Sequence, residues 1–193
     1  MENLTRSSKS GNDWTCDDLD AYHIECRSED PLSFFGIQAL LEPQVDPELP
    51  SSFDATHVTN NSAAELLTIL HLAMIPRWGE SAVENLMVTL FGALGYTKRR
   101  RVALTRTRLG VLTYGEHPRQ HMQADICIMN RDQNDIILVV KVEKRLEEGS
   151  GSDPEAQLIA EALAAFAMNN EQRINASVDP LDAKVCTSIR FPL

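Results

Sequence analysis

The chain lacks the features that define several specialised classes of protein. Its 193 residues include 4 cysteines, and no two of them form a CxxC pair, so we expect reduced, mostly buried thiols rather than a disulfide framework or a zinc site. No hydrophobic run is long enough to cross a bilayer, and Met1 to Asp13 has no apolar segment of a secretory signal. We therefore expect a cytoplasmic or nuclear protein that is not secreted and does not contact a membrane.

Basic charge is also scarce, except in one segment. The net charge is −10; residues 1–54 carry 12 acids against 3 bases, whereas residues 55–193 carry 16 acids against 15 bases. A pI near 4.9 argues against general coating of nucleic acid. The segment Lys98–Arg101, followed by Arg106, is nonetheless basic, and a local basic face of this kind can bind a phosphate backbone.

Hydrophobic residues make up 43% of the chain and charged residues 24%, a composition that is ordinary for a folded domain. We divide the chain into an acidic, extended N-terminal arm (1–60) and an α/β domain (61–193). Four prolines between residues 31 and 50 interrupt regular structure in the arm. We expect Phe34 and Phe35 to anchor this segment against another surface.

The pattern of the domain predicts the element order α-α-β-β-β-α-β, which is a mixed three-layer α/β architecture. A capping box and then an apolar stripe indicate two helices, over 62–75 and 83–94. Residues 136–140 are apolar on both faces, which predicts a central strand covered on both sides. The remaining strands and helix are predicted at 96–105, 123–129, 135–144, 154–170 and 185–191.

Three polar side chains are expected to meet in this topology. Asp125 lies in the middle strand, Lys144 at the end of the next strand, and Glu84 in the first turn of the long helix before them. Two carboxylates can hold Mg²⁺, which polarises a phosphate and lowers the pKa of a bound water, while a lysine orients that water. A site of this kind would suit metal-dependent cleavage of a phosphodiester. Glu84 has a second interpretation, because Ser81–Glu84 also forms a capping box that begins a helix.

The second carboxylate of such a site is missing from the position that strand geometry favours. Residues i and i+2 of a strand share a face, but Val142 stands two residues before Lys144. Glu143 would reach the same face only through a β-bulge. Alternatively, Glu155 or Glu161 of the following helix would supply the charge.

The stretch from about residue 80 to residue 170 resembles the PD-(D/E)xK nuclease-like superfamily, and it is particularly similar to an uncharacterised, duplicated fungal family of that type. The helix Glu84–Tyr96 and the run Ile137–Arg145 carry the resemblance. In that run, Val142 stands at the family's metal-binding glutamate and Lys144 at its lysine. The motif is therefore a degenerate VxK.

The resemblance implies a restriction-endonuclease-like core with a mixed central sheet. In an active member, Asp125, Lys144 and Glu84 would be catalytic, and Asp125, Glu84 and Glu143 would bind Mg²⁺. The helix after the lysine would place Gln157 near the site.

Two functions remain open on these grounds. The first is a degenerate domain, weak or inactive as a nuclease, that acts as a nucleic-acid or protein interaction module, because a single carboxylate binds Mg²⁺ poorly. The alternative is an active Mg²⁺-dependent phosphodiesterase that cuts DNA or RNA with Asp125 and Lys144. Arg99, Arg101 and Arg106 are the candidates for phosphate contact, with a solvated strand as their other interpretation. The expected partner is DNA or RNA, another protein or a second copy of the chain.

Overall fold

The computed structural model describes residues 13–40, 42, 45–110, 122–143, 153–183 and 187–192. The side chains of Glu80, Glu143 and residues 187–192 are outside the description, as is the whole of Lys144. The predicted roles of Lys144 and Glu143 therefore remain predictions.

The fold is a mixed α/β structure with one four-stranded sheet. This confirms the α/β class predicted from the order of helical and strand patterns. The helices are α1 (Cys16–Ala21), α2 (Pro31–Phe35), α3 (Glu48–Ser51), α4 (Asn61–Ala73), α5 (Gly79–Ala93) and α6 (Pro154–Asn175). The strands are β1 (Arg101–Leu109), β2 (Met122–Asn130), β3 (Asp135–Glu143) and β4 (Thr187–Pro192).

The strands lie in the order β1-β2-β3-β4. The first three are antiparallel, and β4 runs parallel to β3. A turn between Asn130 and Asp135 joins β2 to β3, as the short polar linker predicts. The paired register of these two strands extends from this turn to Ile126 opposite Val140.

The two faces of the sheet are covered by different helices. Ile126 and Val140 pack in a buried cluster with Met87 of α5, whereas Cys127 and Val139 pack in a second cluster with α6. Successive side chains of a strand point to opposite faces, so β2 and β3 are buried on both sides. The central position predicted from the apolar run of β3 is confirmed.

The ends of the long helices follow local chemistry. Gly95 has a left-handed φ of 81°, and the Tyr96 N–H donates to Phe91 O at 2.8 Å, so α5 ends at this glycine as predicted. The Asp153 carboxylate accepts from the backbone N–H groups of Glu155 and Ala156, which begins α6. Strand β1 begins at Arg101, five residues after the predicted start, because turns follow α5 first.

The arm is less extended than the proline pattern predicts, since α1, α2 and α3 lie within it. Trp14 is buried in the cluster under α6 and stacks on Tyr22 with ring centroids 5.0 Å apart. By contrast, Phe34 and Phe35 remain 62% and 60% exposed. The start of the arm therefore packs on the domain, whereas these two aromatic side chains do not anchor it there.

The described cysteines are free thiols. Cys127 is buried within β2, as expected, but Cys16 and Cys26 are exposed. The expectation of mostly buried thiols was wrong for these two, because they lie on the surface of the arm rather than in the sheet.

Candidate functional site

Asp125 lies just beyond the last paired residues of β2 and β3. One residue beyond the Ile126–Val140 pair, its Oδ2 accepts the backbone N–H of Val142 at 2.9 Å. The same oxygen lies 3.5 Å from Lys141 Nζ. A carboxylate thus receives both a backbone donor and an ammonium at the end of the β2–β3 ladder.

The Lys141 ammonium joins this carboxylate to a second one on α6. Its Nζ donates to Glu161 Oε1 at 3.2 Å, and the side chains of Lys141 and Glu161 are only 13% and 1% exposed. We call Asp125, Lys141 and Glu161 the carboxylate–lysine triad. It lies on the face of the sheet that α6 covers.

Burial and charge oppose each other within the triad. Burial raises the pKa of Glu161 to about 7, although attraction to Lys141 acts in the opposite direction. Burial lowers the pKa of Lys141, but the carboxylates of Glu161 and Asp125 outweigh it, and the net pKa is raised. Lys141 therefore carries its positive charge at neutral pH, close to two acids.

The donors of this centre do not fit the Mg²⁺ ion that the sequence resemblance implies. Mg²⁺ needs several oxygen ligands at about 2.0–2.1 Å, and a group of three or more His, Cys, Asp or Glu side chains arranged for a metal is absent from the described residues. The two carboxylates that do converge already share an ammonium. A cation from solution would have to compete with Lys141.

The predicted site residue Glu84 lies in a different environment. Helix α5 begins at Gly79, so Ser81–Glu84 falls inside the helix and the predicted capping box is not formed. Glu84 accepts instead from Arg106 Nε, at 3.2 and 3.3 Å to its two oxygens. Within the described chain, the hydrogen-bond and ion-pair partners of Glu84 and of Asp125 have no residue in common.

Two further predicted positions can be placed. The Val142 side chain is buried in the apolar cluster with α5, so only its backbone N–H takes part in the triad's surroundings. Gln157 is buried on α6, four residues before Glu161. Residues i and i+4 of a helix share a face, which places Gln157 one turn from the triad.

The predicted arginines separate into two places. Lys98, Arg99, Arg100 and Arg101 line a groove of about 430 Å³ beside the β2–β3 turn, together with Asn130, Asp132 and Gln133. We call this the basic groove. Asn130 is five residues from Asp125 along β2, a separation of about 16 Å at the usual strand rise. Arg106 has a left-handed φ of 49° and pairs with Glu84 instead.

Lys141 and Glu161 are the residues whose pairing sequence reasoning missed. Glu161 was one of three candidates for the missing charge, with Glu143 and Glu155, and Lys141 was assigned no role. The available signal was burial: Lys141 interrupts an apolar strand and Glu161 an apolar helix face, and a buried charge requires a partner. The α6 face of β3 brings the two together.

The fold and the geometry of the triad define the class of the molecule, a mixed α/β protein with a buried ion-pair centre. Comparison with protein-family models, with curated proteins and with solved structures found no match to this chain. Among the described helices, none combines the length and the apolar character needed to cross a membrane.

Proposed function

We propose that this chain is a degenerate PD-(D/E)xK-type domain that binds the phosphate backbone of DNA or RNA and does not hydrolyse it through Asp125. The basic groove carries the proposal. It presents four consecutive cationic side chains beside an open cavity, at the opposite end of β2 from the carboxylate–lysine triad.

The charges of the groove suit a polyanion. Arg100 is held by Asp132 at 2.6 Å, whereas Lys98, Arg99 and Arg101 form no ion pair with any described residue. Three cations in a short exposed segment can each approach a phosphate and release counterions. Arginine also matches the geometry of two phosphate oxygens at once. These features support backbone contact without sequence readout.

The triad supports the absence of metal-dependent hydrolysis. Asp125 is the candidate metal ligand, yet its Oδ2 is engaged by Lys141 and by the Val142 N–H. Val142 directs its side chain into the α5 cluster and supplies no carboxylate. An ion that sheds water reluctantly has little to gain from this donor set.

Binding can be tested by fluorescence anisotropy with labelled 20-nucleotide single- and double-stranded DNA and RNA. We expect Arg99→Gln with Arg101→Gln to weaken binding about tenfold or more at moderate salt, and to reduce the slope of log K against log salt by about 1.5 to 2. Arg27→Gln with Arg77→Gln is the matched control, since both arginines are exposed and lie outside the groove. Equal losses in both pairs would point to net charge alone and contradict a site in the groove. No binding by the native chain would favour a protein partner or a second copy.

Catalysis is tested separately on plasmid and single-stranded substrates with Mg²⁺ or Mn²⁺. We expect no cleavage by the native protein. Cleavage by the native protein that Asp125→Ala abolishes would instead establish the alternative, an active phosphodiesterase. The structural support for that alternative is the position of Asp125 at the end of the β2–β3 ladder.

A further inference from the structure

We infer that Lys141 is a built-in counter-ion that keeps divalent cations out of the space between Asp125 and Glu161, and that loss of its ammonium opens a weak divalent-cation site there. The inference rests on the triad alone. It does not depend on whether the basic groove binds nucleic acid.

The first support is the geometry of the charges. Lys141 Nζ lies 3.5 Å from Asp125 Oδ2 and 3.2 Å from Glu161 Oε1. A single cation therefore already stands between one carboxylate from β2 and one from α6. Because the ammonium is covalently attached and mostly buried, it occupies this place at no cost in translational entropy, unlike a free ion.

The second support is an unused oxygen. Glu161 is almost completely buried, and its Oε2 has no hydrogen-bond partner among the described residues. A buried carboxylate oxygen without a donor is unfavourable. It is the kind of group that a cation replacing the Lys141 ammonium would contact.

The ion-pair distances also indicate how far the two carboxylates would have to move to bind a metal ion. Oxygen ligands lie at about 2.3–2.6 Å from Ca²⁺, so each carboxylate would move about 1 Å toward the space that the lysine side chain vacates. Ca²⁺ and Mn²⁺ should tolerate this arrangement better than Mg²⁺, which demands a near-ideal octahedron. Two carboxylates without a third suggest a dissociation constant of about 1 mM, the weak end of protein calcium sites.

The test compares the native protein with Lys141→Gln at pH 8, above the pKa of about 7 that Glu161 has in the native chain. Binding of Mn²⁺ is followed by loss of the free-ion electron paramagnetic resonance signal, and thermal unfolding is followed with and without about 10 mM MnCl₂ or CaCl₂. We expect no specific binding by the native chain. For Lys141→Gln we expect one site and a rise in Tm of about 3 °C.

The double variant Lys141→Gln, Glu161→Gln is the matched control, since it lacks the ammonium and one of the two carboxylates. We expect its response to Mn²⁺ to match that of the native chain. If Lys141→Gln is unfolded in a chelator, Mn²⁺ should restore its far-UV circular dichroism, because a bound cation replaces the charge that Lys141 supplied between the two carboxyl groups.

Three outcomes would overturn the inference: binding of Mn²⁺ by the native triad, a folded Lys141→Gln that does not respond to either ion, or an unfolded one that Mn²⁺ does not restore. Anisotropy with the labelled oligonucleotides, repeated on Lys141→Gln without metal, separates this result from the proposed function. Its nucleic-acid affinity should equal that of the native chain, because the basic groove lies at the other end of β2.

Discussion

At the scale of single residues, the burial of Glu161 makes its charge state dependent on pH near neutrality. Its carboxyl is nearly inaccessible to water, and burial outweighs the attraction of Lys141, so its pKa is raised to about 7. In the unfolded chain a glutamate titrates near its ordinary value of 4.5. Between these two pH values the folded protein binds a proton that the unfolded chain has released.

The sign of the pH dependence follows from this difference. The contribution of Glu161 is fully present below about pH 4.5 and is lost as pH rises to about 7. We expect the free energy of unfolding of the native chain to fall relative to Glu161→Gln, by up to about 3 kcal/mol, between pH 5 and pH 8. Urea unfolding of both proteins at each pH measures this. Parallel pH profiles of the two proteins would contradict it.

Asn169, also on α6, makes two buried hydrogen bonds to the backbone of β3. Its Oδ1 accepts the Ile136 N–H and its Nδ2 donates to Ile136 O, both at 2.8 Å. The side chain thereby joins α6 to the beginning of β3. Asn170 makes the same two-bond contact with Leu181, after the end of α6.

We expect Asn169→Leu to lower the free energy of unfolding by about 2–4 kcal/mol, because the Ile136 backbone groups lose a buried partner. Asn175→Leu, at the exposed end of the same helix, controls for the substitution and should change stability by less than about 0.5 kcal/mol. Urea unfolding at pH 7 is sufficient. Equal effects of the two variants would show that the Asn169 contacts do not stabilise the fold.

At the scale of elements, β3 divides its side chains between two environments. Val140 and Val142 face the cluster with α5, whereas Val139 and Lys141 face α6. An acid introduced at position 142, where the proposed PD-(D/E)xK motif would have one, is therefore expected among the apolar side chains of the α5 cluster rather than beside Lys141.

We expect Val142→Glu to destabilise the protein by about 3 kcal/mol or more, since a buried carboxylate without a partner is costly. Val102→Glu is the control, because Val102 lies on β1 and is partly exposed. Thermal and urea unfolding of both variants give the comparison. A stable Val142→Glu protein that cleaves DNA with Mg²⁺ would instead show that this carboxylate reaches the site.

At the scale of the whole molecule, the acidic arm and the sheet domain share one core at α6. Trp14 is buried in the cluster that also contains Leu158 and Val139. The division at residue 60 therefore describes charge and composition, while packing joins α1 to the domain.

We expect Trp14→Ala to cost about 3–5 kcal/mol, the range for removing a large buried aromatic side chain. Phe34→Ala should cost less than about 0.5 kcal/mol, because Phe34 is mostly exposed. Denaturant unfolding monitored by far-UV circular dichroism compares them. If Trp14→Ala were as mild as Phe34→Ala, the arm would contribute little to the folded core.

Local patterns predicted much of the element order. The apolar stripe of α5 and the end at Gly95 depend on residues within a few positions of each other, as does the Asp153 cap of α6. The predicted start of α5 was wrong, because the helix begins at Gly79, with Trp78 as its N-cap, before the capping box predicted at Ser81. The prediction that Phe34 and Phe35 anchor the arm was wrong, because apolar character alone does not supply a surface to pack against.

The candidate site was harder to predict than the elements, because its residues are far apart in the sequence. Asp125 was identified because an acid within an apolar strand requires an unusual environment, but its neighbour Lys141 was overlooked in favour of Lys144, whose position lies outside the description. Asp125 pairs with Val142, 17 residues later, and Lys141 pairs with Glu161, 20 residues later. Both pairings depend on strand register and on how α6 crosses the sheet. The hydrophobic periodicity within a strand or a helix does not encode the register between strands or the crossing of a helix over the sheet.

The amino-acid sequence by itself determined the α/β class, the central position of β3 and the basic character of residues 98–101, because hydrophobic spacing and formal charge are local properties. Only the tertiary structure decided that the conspicuous acid meets a lysine and a glutamate from α6, and that the arginines lie at the other end of the strand. The physical reason is that a buried charge selects its partner through space, where the register of β2 with β3 and the packing of α6 fix the distances.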